Sequence, residues 1–314
     1  MNMDYAVILA GGRGERFWPL STRRKPKQVL SLLGGKTFLQ KAVDRLEGLI
    51  PPERILLVTS RDLKAACAEA APEIPCHRIL GEPVGRDTGA AIALAAGVIR
   101  RENPEAVFCV LTADHEIPDV AGFQRTLRAA FAEAREREAL VTLGIRPTEP
   151  SSAYGYIEAG PALPARDGIA FFQAKRFVEK PDIETAKSYL KAGTYSWNSG
   201  MFIWSLRALD AALRDHAPHL AELADRVRDV EPGEDLDRAL DSLYPALPKI
   251  SIDYALLEKA RKVTMVRAEF AWDDLGSWPA LDRHLPPDAR GNRILGACEA
   301  LDATENIVVS NDRL

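Results

Sequence analysis

Over the first half of the chain, short apolar runs alternate with stretches of helical spacing. YAVILA (Tyr5–Ala10) is brief, apolar and rich in β-formers, and it stops at Gly11-Gly12. That is the pattern of a buried strand emptying into a loop. TFLQKAVDRLEGLI (Thr37–Ile50) places apolar residues at 38, 39, 42, 43, 46 and 49, which predicts a helix capped by Thr37. RILLVTS (Arg54–Ser60), AVFCVLTADH (Ala106–His115) and ALVTLGI (Ala139–Ile145) read as further strands. DLKAACAEAA, TGAAIALAAGVIRR (Thr88–Arg101) and FQRTLRAAFAEARE read as the helices between them. Strand–helix alternation of this kind predicts βαβ units, hence an open α/β sheet with helices on both faces. Ligands of such sheets bind beyond the carboxyl ends of the strands, so the loops after Ala10, Ser60, Leu111 and Ile145 matter most.

The middle of the chain changes texture. AYGYIEAG (Ala153–Gly160), IAFFQAKRFVEKPD (Ile169–Asp182) and YSWNSGMFIWS (Tyr195–Ser205) are aromatic and alternating, which predicts strands in a mixed or antiparallel part of the sheet. HLAELADRV, DLDRALDSLY and SIDYALLEKA return to helical spacing. From Gly291 onward, apolar pairs are separated by Gly, Asn, Asp and Thr, as in short strands or a rung of a parallel β-coil. One rung cannot bury its own face, so it is expected to lean on the main domain or on a second subunit, in a homodimer. The expected division is residues 1–285 as one domain and 286–314 as a short β-helix-like segment.

Composition narrows the class. The 314 residues are 46% hydrophobic and 27% charged, with a formal net charge of −4. That suits a globular domain and argues against a nucleic-acid surface. No apolar run approaches the roughly 18 residues of a membrane span. The opening carries an acid at Asp4 and only a short apolar run, unlike a secretory signal. Four scattered cysteines form no CxxC, so reduced thiols in the cytoplasm are expected.

Against that acidic background, LAGGRGERFWPLSTRRKPKQ (Leu9–Gln28) holds six cations and three glycines directly after a strand. Glycines let backbone N–H groups approach an anion, and cations neutralise it. No Gly-Lys-Ser/Thr completes a Walker A loop, and no third glycine completes a dinucleotide turn. Pro26 stiffens the chain before Lys27.

This stretch resembles the signature of the sugar-1-phosphate nucleotidylyltransferases. Its Trp-Pro-Leu-Ser and Pro-Lys-Gln are similar to the mannose-1-phosphate guanylyltransferase branch. Later motifs follow in family order: GEPVGRDTGAAIALAA (Gly81–Ala96), TADHEI (Thr112–Ile117), YGYIE (Tyr154–Glu158), RFVEKP (Arg176–Pro181), WNSGMFIW (Trp197–Trp204), SIDYALLEK (Ser251–Lys259) and WDDLGSW (Trp272–Trp278). Two departures stand out. Thr112 replaces the usual proline before Ala-Asp-His, and Asp87-Thr88-Gly89-Ala90 replaces Asn-Thr-Ala-Pro, which touches the choice of base.

The resemblance implies a Rossmann-like nucleotidyltransferase sheet. It also implies the reaction of GTP with mannose 1-phosphate to give GDP-mannose and pyrophosphate, with Mg2+ as cofactor. Arg16 and Lys27 are the expected catalytic cations. Leu9, Gly11, Gly12, Arg13, Gly14, Glu82, Arg86, Asp87 and Thr88 are expected to bind nucleotide. Gly155, Glu158, Glu179, Lys180 and Asn198 are expected to bind the sugar phosphate, and Asp114 and Asp274 the metal. Bland readings stay open: Thr88 and Asp114 as helix caps, and Glu179-Lys180 as an exposed turn. Arg23, Arg24 and Lys25 are expected to be solvated. Another hexose 1-phosphate or nucleoside triphosphate, or a non-catalytic nucleotide-sugar-binding protein, is the alternative function.

Overall fold

The computed structural model describes residues 3–12, 14–33 and 35–310. Eleven strands are present among them: β1 Asp4–Leu9, β2 Ile55–Ser60, β3 Ile79–Glu82, β4 Val107–Thr112, β5 Leu140–Ile145, β6 Gly155–Arg166, β7 Ile169–Val178, β8 Tyr195–Ser205, β9 Val263–Ala268, β10 Arg293–Leu295 and β11 Ile307–Val309. The helices are α1 Phe38–Asp44, α2 Lys64–Ala70, α3 Asp87–Glu102, α4 Val120–Arg137, α5 Ile183–Ala192, α6 Leu206–His216, α7 Pro218–Arg228 and α8 Glu234–Leu243.

The first nine strands form one sheet in the order β3-β2-β1-β4-β8-β5-β9-β7-β6. The β3-β2-β1-β4 half is parallel. β8 then runs antiparallel to both β4 and β5 and also pairs with β6, while β9 lies parallel to β5. The expected α/β sheet with a mixed second half is therefore what the chain forms.

Alternation along β1 shows how the two faces are filled. Ala6 and Ile8 point into a core shared with α1, α2 and α4. Tyr5 and Val7 point into a core shared with α3, α6, α7 and α8. Gly97 lets α3 and α7 approach closely, since a Cβ there would sit 2.7 Å from the Ala224 carbonyl oxygen.

Several boundaries differ from the sequence reading. Thr37 and Gln40 do form a capping box, but α1 ends at Asp44 rather than Ile50. The chain tightens into i→i+3 turns at Leu46, Glu47 and Leu49 before Pro51, with Gly48 at φ 72°. SIDYALLEKA yields only a π turn, Asp253–Leu257. β3, β9, α5 and α6 are additions that the periodicity reading did not contain. The C-terminal strands β10 and β11 pair in parallel as a separate two-stranded sheet. Ile307 and Val309 of β11 lean on a third apolar cluster of Phe17, Leu30, Phe38, Leu275 and Leu281. That cluster also backs the glycine-rich loop, so the tail and the loop share one support.

Candidate active site

The site lies at the carboxyl ends of β1 and β4. Leu9 and Ala10 are fixed by their neighbours: Ala113 N donates to the Leu9 oxygen, and Ala10 N donates to the Val58 oxygen. The Ala10 oxygen accepts from Gln28 Nε2 at 2.5 Å and Thr59 Oγ1 at 2.9 Å. Beyond this point the loop turns on Gly14, at φ 63°. A Cβ on Gly14 would lie 2.3 Å from Lys27 Cβ, so glycine is required both for the left-handed turn and for the close approach. Ser21 Oγ holds the Gly14 carbonyl at 2.6 Å. Arg13 lies outside the described residues.

Lys27 is buried, with 6% of its surface exposed. Its ammonium donates to Asp114 Oδ2 at 2.8 Å and to the Asp274 carbonyl at 2.9 Å. The rings of Phe17 and Phe38 lie within 6 Å of it, at 5.5 and 5.7 Å. Burial alone would raise the Asp114 carboxyl; the Lys27 ammonium outweighs that and holds it below the usual carboxylate range. Asp114 is not a helix cap, since Asp119 caps α4.

The two acid-bearing segments are joined by backbone. Glu116 N donates to the Asp273 oxygen and Asp273 N to the Glu116 oxygen, at 2.8 and 3.0 Å. This antiparallel bridge lies two residues beyond Asp114 and one before Asp274. The neighbouring acids then divide the work. Asp273 is buried and takes Arg283, His284 and the Leu275 N–H; these bonds outweigh its burial and hold it far below the usual range. Asp274 instead accepts from Tyr154 Oη at 2.9 Å and Gly276 N at 3.1 Å, both on Oδ1. Arg16 is exposed, with Nη1 3.2 Å from the position a Gly276 Cβ would take. Leu9, Gly12, Gly14, Arg16, Lys27 and Asp114 thus line one cleft of about 460 Å³.

Glu82, at the end of β3, lies beside Gly11: a Cβ on Gly11 would be 3.6 Å from its Oε2. Burial raises its carboxyl from the ordinary 4.5 to about 7, against a lowering hydrogen bond from Tyr244. Its Oε1 is buried with no protein partner. Arg86 is used structurally, donating to the Tyr244 and Pro245 carbonyls at 3.0 and 2.7 Å. Thr88 caps no helix; its hydroxyl accepts from Ile252 N at 2.9 Å. The Gly89 departure from the family pattern has a local setting, because a Cβ there would be 2.8 Å from the Ile250 carbonyl.

A second cleft of about 640 Å³ gathers Asp87, Thr88, Glu179, Lys180, Ser251 and Asp253. Gly155 and Asn198 are register partners on β6 and β8, and a Cβ on Gly155 would collide with Glu179 Oε2 at 2.3 Å. Lys180 Nζ donates to Glu179 Oε1 at 2.8 Å, and both residues line this cleft. Glu158 is not joined to this group. It stands three residues beyond Gly155, on the other sheet face, where Lys175 Nζ and Tyr195 Oη donate to it at 2.7 and 3.1 Å.

Asp253 was absent from the sequence-derived set. Asn198 Nδ2 donates to its Oδ1 at 2.7 Å, and burial beside Glu179 raises its carboxyl to about 6. The available signal was an acid between positions that both bury apolar side chains, Ile252 and Ala255.

Among the described residues, no three His, Cys, Asp or Glu side chains converge to cage a metal. The donor set is two carboxylates beside a cationic, glycine-lined cleft. It fits magnesium, which keeps most of its shell for water and phosphate oxygens. No helix among the described residues is long and apolar enough to cross a membrane.

The fold and this cleft define the chain as a member of the nucleotidyl transferase family, whose profile matches residues 5–286. Among its relatives, mannose-1-phosphate guanylyltransferases from Sinorhizobium fredii (strain NBRC 101917 / NGR234) and Klebsiella pneumoniae are 38% and 37% identical over 309 residues each. These alignments cover 97% and 98% of this chain but 59% and 65% of the relatives, so the chain spans about six-tenths of their length. A solved structure titled mannose-1-phosphate geranyltransferase, from Thermus thermophilus, superposes with a TM-score of 0.82 at 39% identity. That match covers 94% of this chain and 82% of the other.

Proposed function

We propose that the chain transfers a guanylyl group from GTP to mannose 1-phosphate, giving GDP-mannose and pyrophosphate. The observation that carries this reading is Lys27, a buried ammonium joined to both acid-bearing segments at the base of a glycine-lined cleft. The names of the relatives supply the base and the sugar. A phosphate oxygen of the sugar phosphate forms a bond to the α-phosphorus. The bond from that phosphorus to the β-bridging oxygen breaks, and pyrophosphate leaves with the electron pair.

No protein nucleophile is needed; positioning and charge neutralisation lower the barrier. Gly11, Gly12 and Gly14 cradle the triphosphate, with Arg13 beside them, and Arg16 and Lys27 neutralise it. Mg2+, held by Asp114 and Asp274, supplies further neutralisation of the phosphate oxygens when bound. Leu9, Arg86 and Thr88 shape the nucleoside pocket, and Glu82 or Asp87 accepts from the guanine N–H groups. The unpartnered Glu82 oxygen supports that role. Gly155, Glu179, Lys180 and Asn198 bind the sugar phosphate, with Lys180 facing its charge; Glu158, paired with Lys175 and Tyr195 on the other sheet face, drops out of this set.

In the same reading, the C-terminal segment that carries β10 and β11 is the β-helix-like part of the chain, two copies form a homodimer, and the protein works in the cytoplasm. A pyrophosphate-release assay with magnesium, crossing GTP, ATP, UTP and dTTP with mannose and glucose 1-phosphates, tests the reading. Turnover with GTP and mannose 1-phosphate is expected. Silence for every pair, or preference for UTP with glucose 1-phosphate, overturns it.

A further inference from the structure

The carboxylate of Asp274 is held more tightly than its sequence position, in a short loop after β9, would require. Its Oδ1 takes two donors, the Tyr154 hydroxyl at 2.9 Å and the Gly276 N–H at 3.1 Å. Both address the same oxygen, so Oδ2 is left for a ligand and the side chain is confined to one orientation. The hydroxyl can do this only if its ring is fixed. The Tyr154 ring packs against Trp197 and Trp272, with centroids 4.9 and 5.4 Å away.

Trp272 is itself anchored. Its indole N–H donates to His115 Nδ1 at 3.1 Å, and the two rings meet edge to face at 5.1 Å. His115 directly follows Asp114, and its carbonyl accepts from the buried Arg45 at 3.0 Å. A continuous chain of contacts therefore runs from the Asp114 segment through His115, Trp272 and Tyr154 to the Asp274 carboxylate. The Glu116–Asp273 bridge aligns the same two segments by backbone.

We infer that Tyr154 is a positioning residue, presenting Asp274 Oδ2 to the metal, and that Trp272, keyed to His115, fixes the Tyr154 ring for that task. The inference rests on the proposed nucleotidyl transfer only in assigning the metal to Asp114 and Asp274. Hydrogen bonds to a metal-bound carboxylate orient it, and their loss typically weakens metal binding 10- to 100-fold.

The test uses the full chain with GTP and Mn2+, following metal binding by electron paramagnetic resonance and calorimetry. Asp274→Asn is the reference variant for loss of the site. Tyr154→Phe keeps the ring and removes only the hydroxyl; Trp272→Phe keeps a ring and removes the indole N–H. For Tyr154→Phe, Mn2+ affinity is expected to fall about 10-fold or more. Its Mn2+ spectrum is expected to broaden, with GTP affinity in the absence of metal within about twofold of wild type. Raising magnesium is expected to restore its turnover. Trp272→Phe is expected to show a smaller fall in the same direction.

Wild-type Mn2+ affinity in Tyr154→Phe overturns the inference. So does Mn2+ binding that Asp274→Asn leaves unchanged. A wild-type protein that binds Mn2+ through Asp274 yet turns over no substrate pair overturns the proposed function instead and leaves the metal measurement decisive for Tyr154.

Discussion

Lys27 Nζ lies 2.8 Å from Asp114 Oδ2, and the same ammonium reaches the Asp274 carbonyl at 2.9 Å. One buried cation thus closes the cleft between two segments that are far apart in sequence. In the proposed reaction this point charge meets the phosphate oxygens. Lys27→Ala is expected to lower kcat/KM by at least ~10²-fold, the scale for removing a charge-stabilising donor. Steady-state kinetics with GTP and mannose 1-phosphate check this, and a near-normal rate removes Lys27 from the reaction.

The glycines of the loop are expected to respond differently to an added methyl. At Gly14 the left-handed φ and the 2.3 Å approach to Lys27 Cβ act together. Gly14→Ala is expected to cost about 1–3 kcal/mol of stability and to displace Lys27. At Gly12 nothing lies within 4 Å of the new Cβ, and φ is not left-handed. Gly12→Ala is therefore expected to leave the melting temperature of the ligand-free protein close to wild type. Thermal unfolding of the two variants, side by side, makes the comparison.

The adjacent acids Asp273 and Asp274 separate stability from binding. Asp273 is buried among Arg283, His284 and the Leu275 N–H, so Asp273→Ala leaves partners unpaired. Because Arg283 is half exposed, the expected cost is discounted to about 2 kcal/mol. Asp274→Asn keeps a hydrogen-bonding oxygen and is expected to unfold within about 0.5 kcal/mol of wild type while losing metal-dependent turnover. Denaturant titration together with magnesium-activation curves distinguishes the two outcomes.

Glu82 predicts a pH dependence of stability. Its carboxyl rises from 4.5 to about 7 on folding because it is buried. The folded state therefore binds the proton more tightly than the unfolded one. Stability falls as pH rises through this window, by roughly 3 kcal/mol in total. Glu82→Gln lacks that titration, so its melting temperature is expected to gain on wild type between pH 5 and pH 8. Asp253 shifts in the same sense, to about 6, but is present in both proteins and cancels. A constant difference across that range contradicts the assignment.

These residues also show which parts of the molecule local sequence can encode. β1, β2, β4, α3 and α4 follow from apolar runs and helical spacing because each buries a continuous face. β3 is only Ile79–Glu82, and half of it is Gly and Glu, too little to stand out from a loop. β9 buries side chains on both faces, so Val263–Ala268 shows neither clean alternation nor a helical period. The motifs placed Lys27, Asp114 and Asp274 in order along the chain but not in contact. Contact comes from the Glu116–Asp273 bridge, a long-range pairing that no local pattern carries. Asp253 escaped notice because SIDYALLEKA has helical spacing, while the chain forms a single π turn that turns the acid toward Asn198.

β9 enters the sheet between β5 and β7, strands laid down about a hundred residues earlier, and the segment that follows it delivers Asp273 and Asp274. As the chain leaves the ribosome, the glycine-rich loop emerges long before its counterpart. A nascent chain can close the parallel half of the sheet early, since β1 to β4 need nothing beyond Thr112 among themselves. The cleft must wait for this late insertion, whose loop-closure entropy makes it a slow kind of contact to form. Completion of the site is thereby coupled to completion of the sheet, and a growing chain carries the glycine-rich loop through the synthesis of β2 to β9 without the second acid that would make it whole.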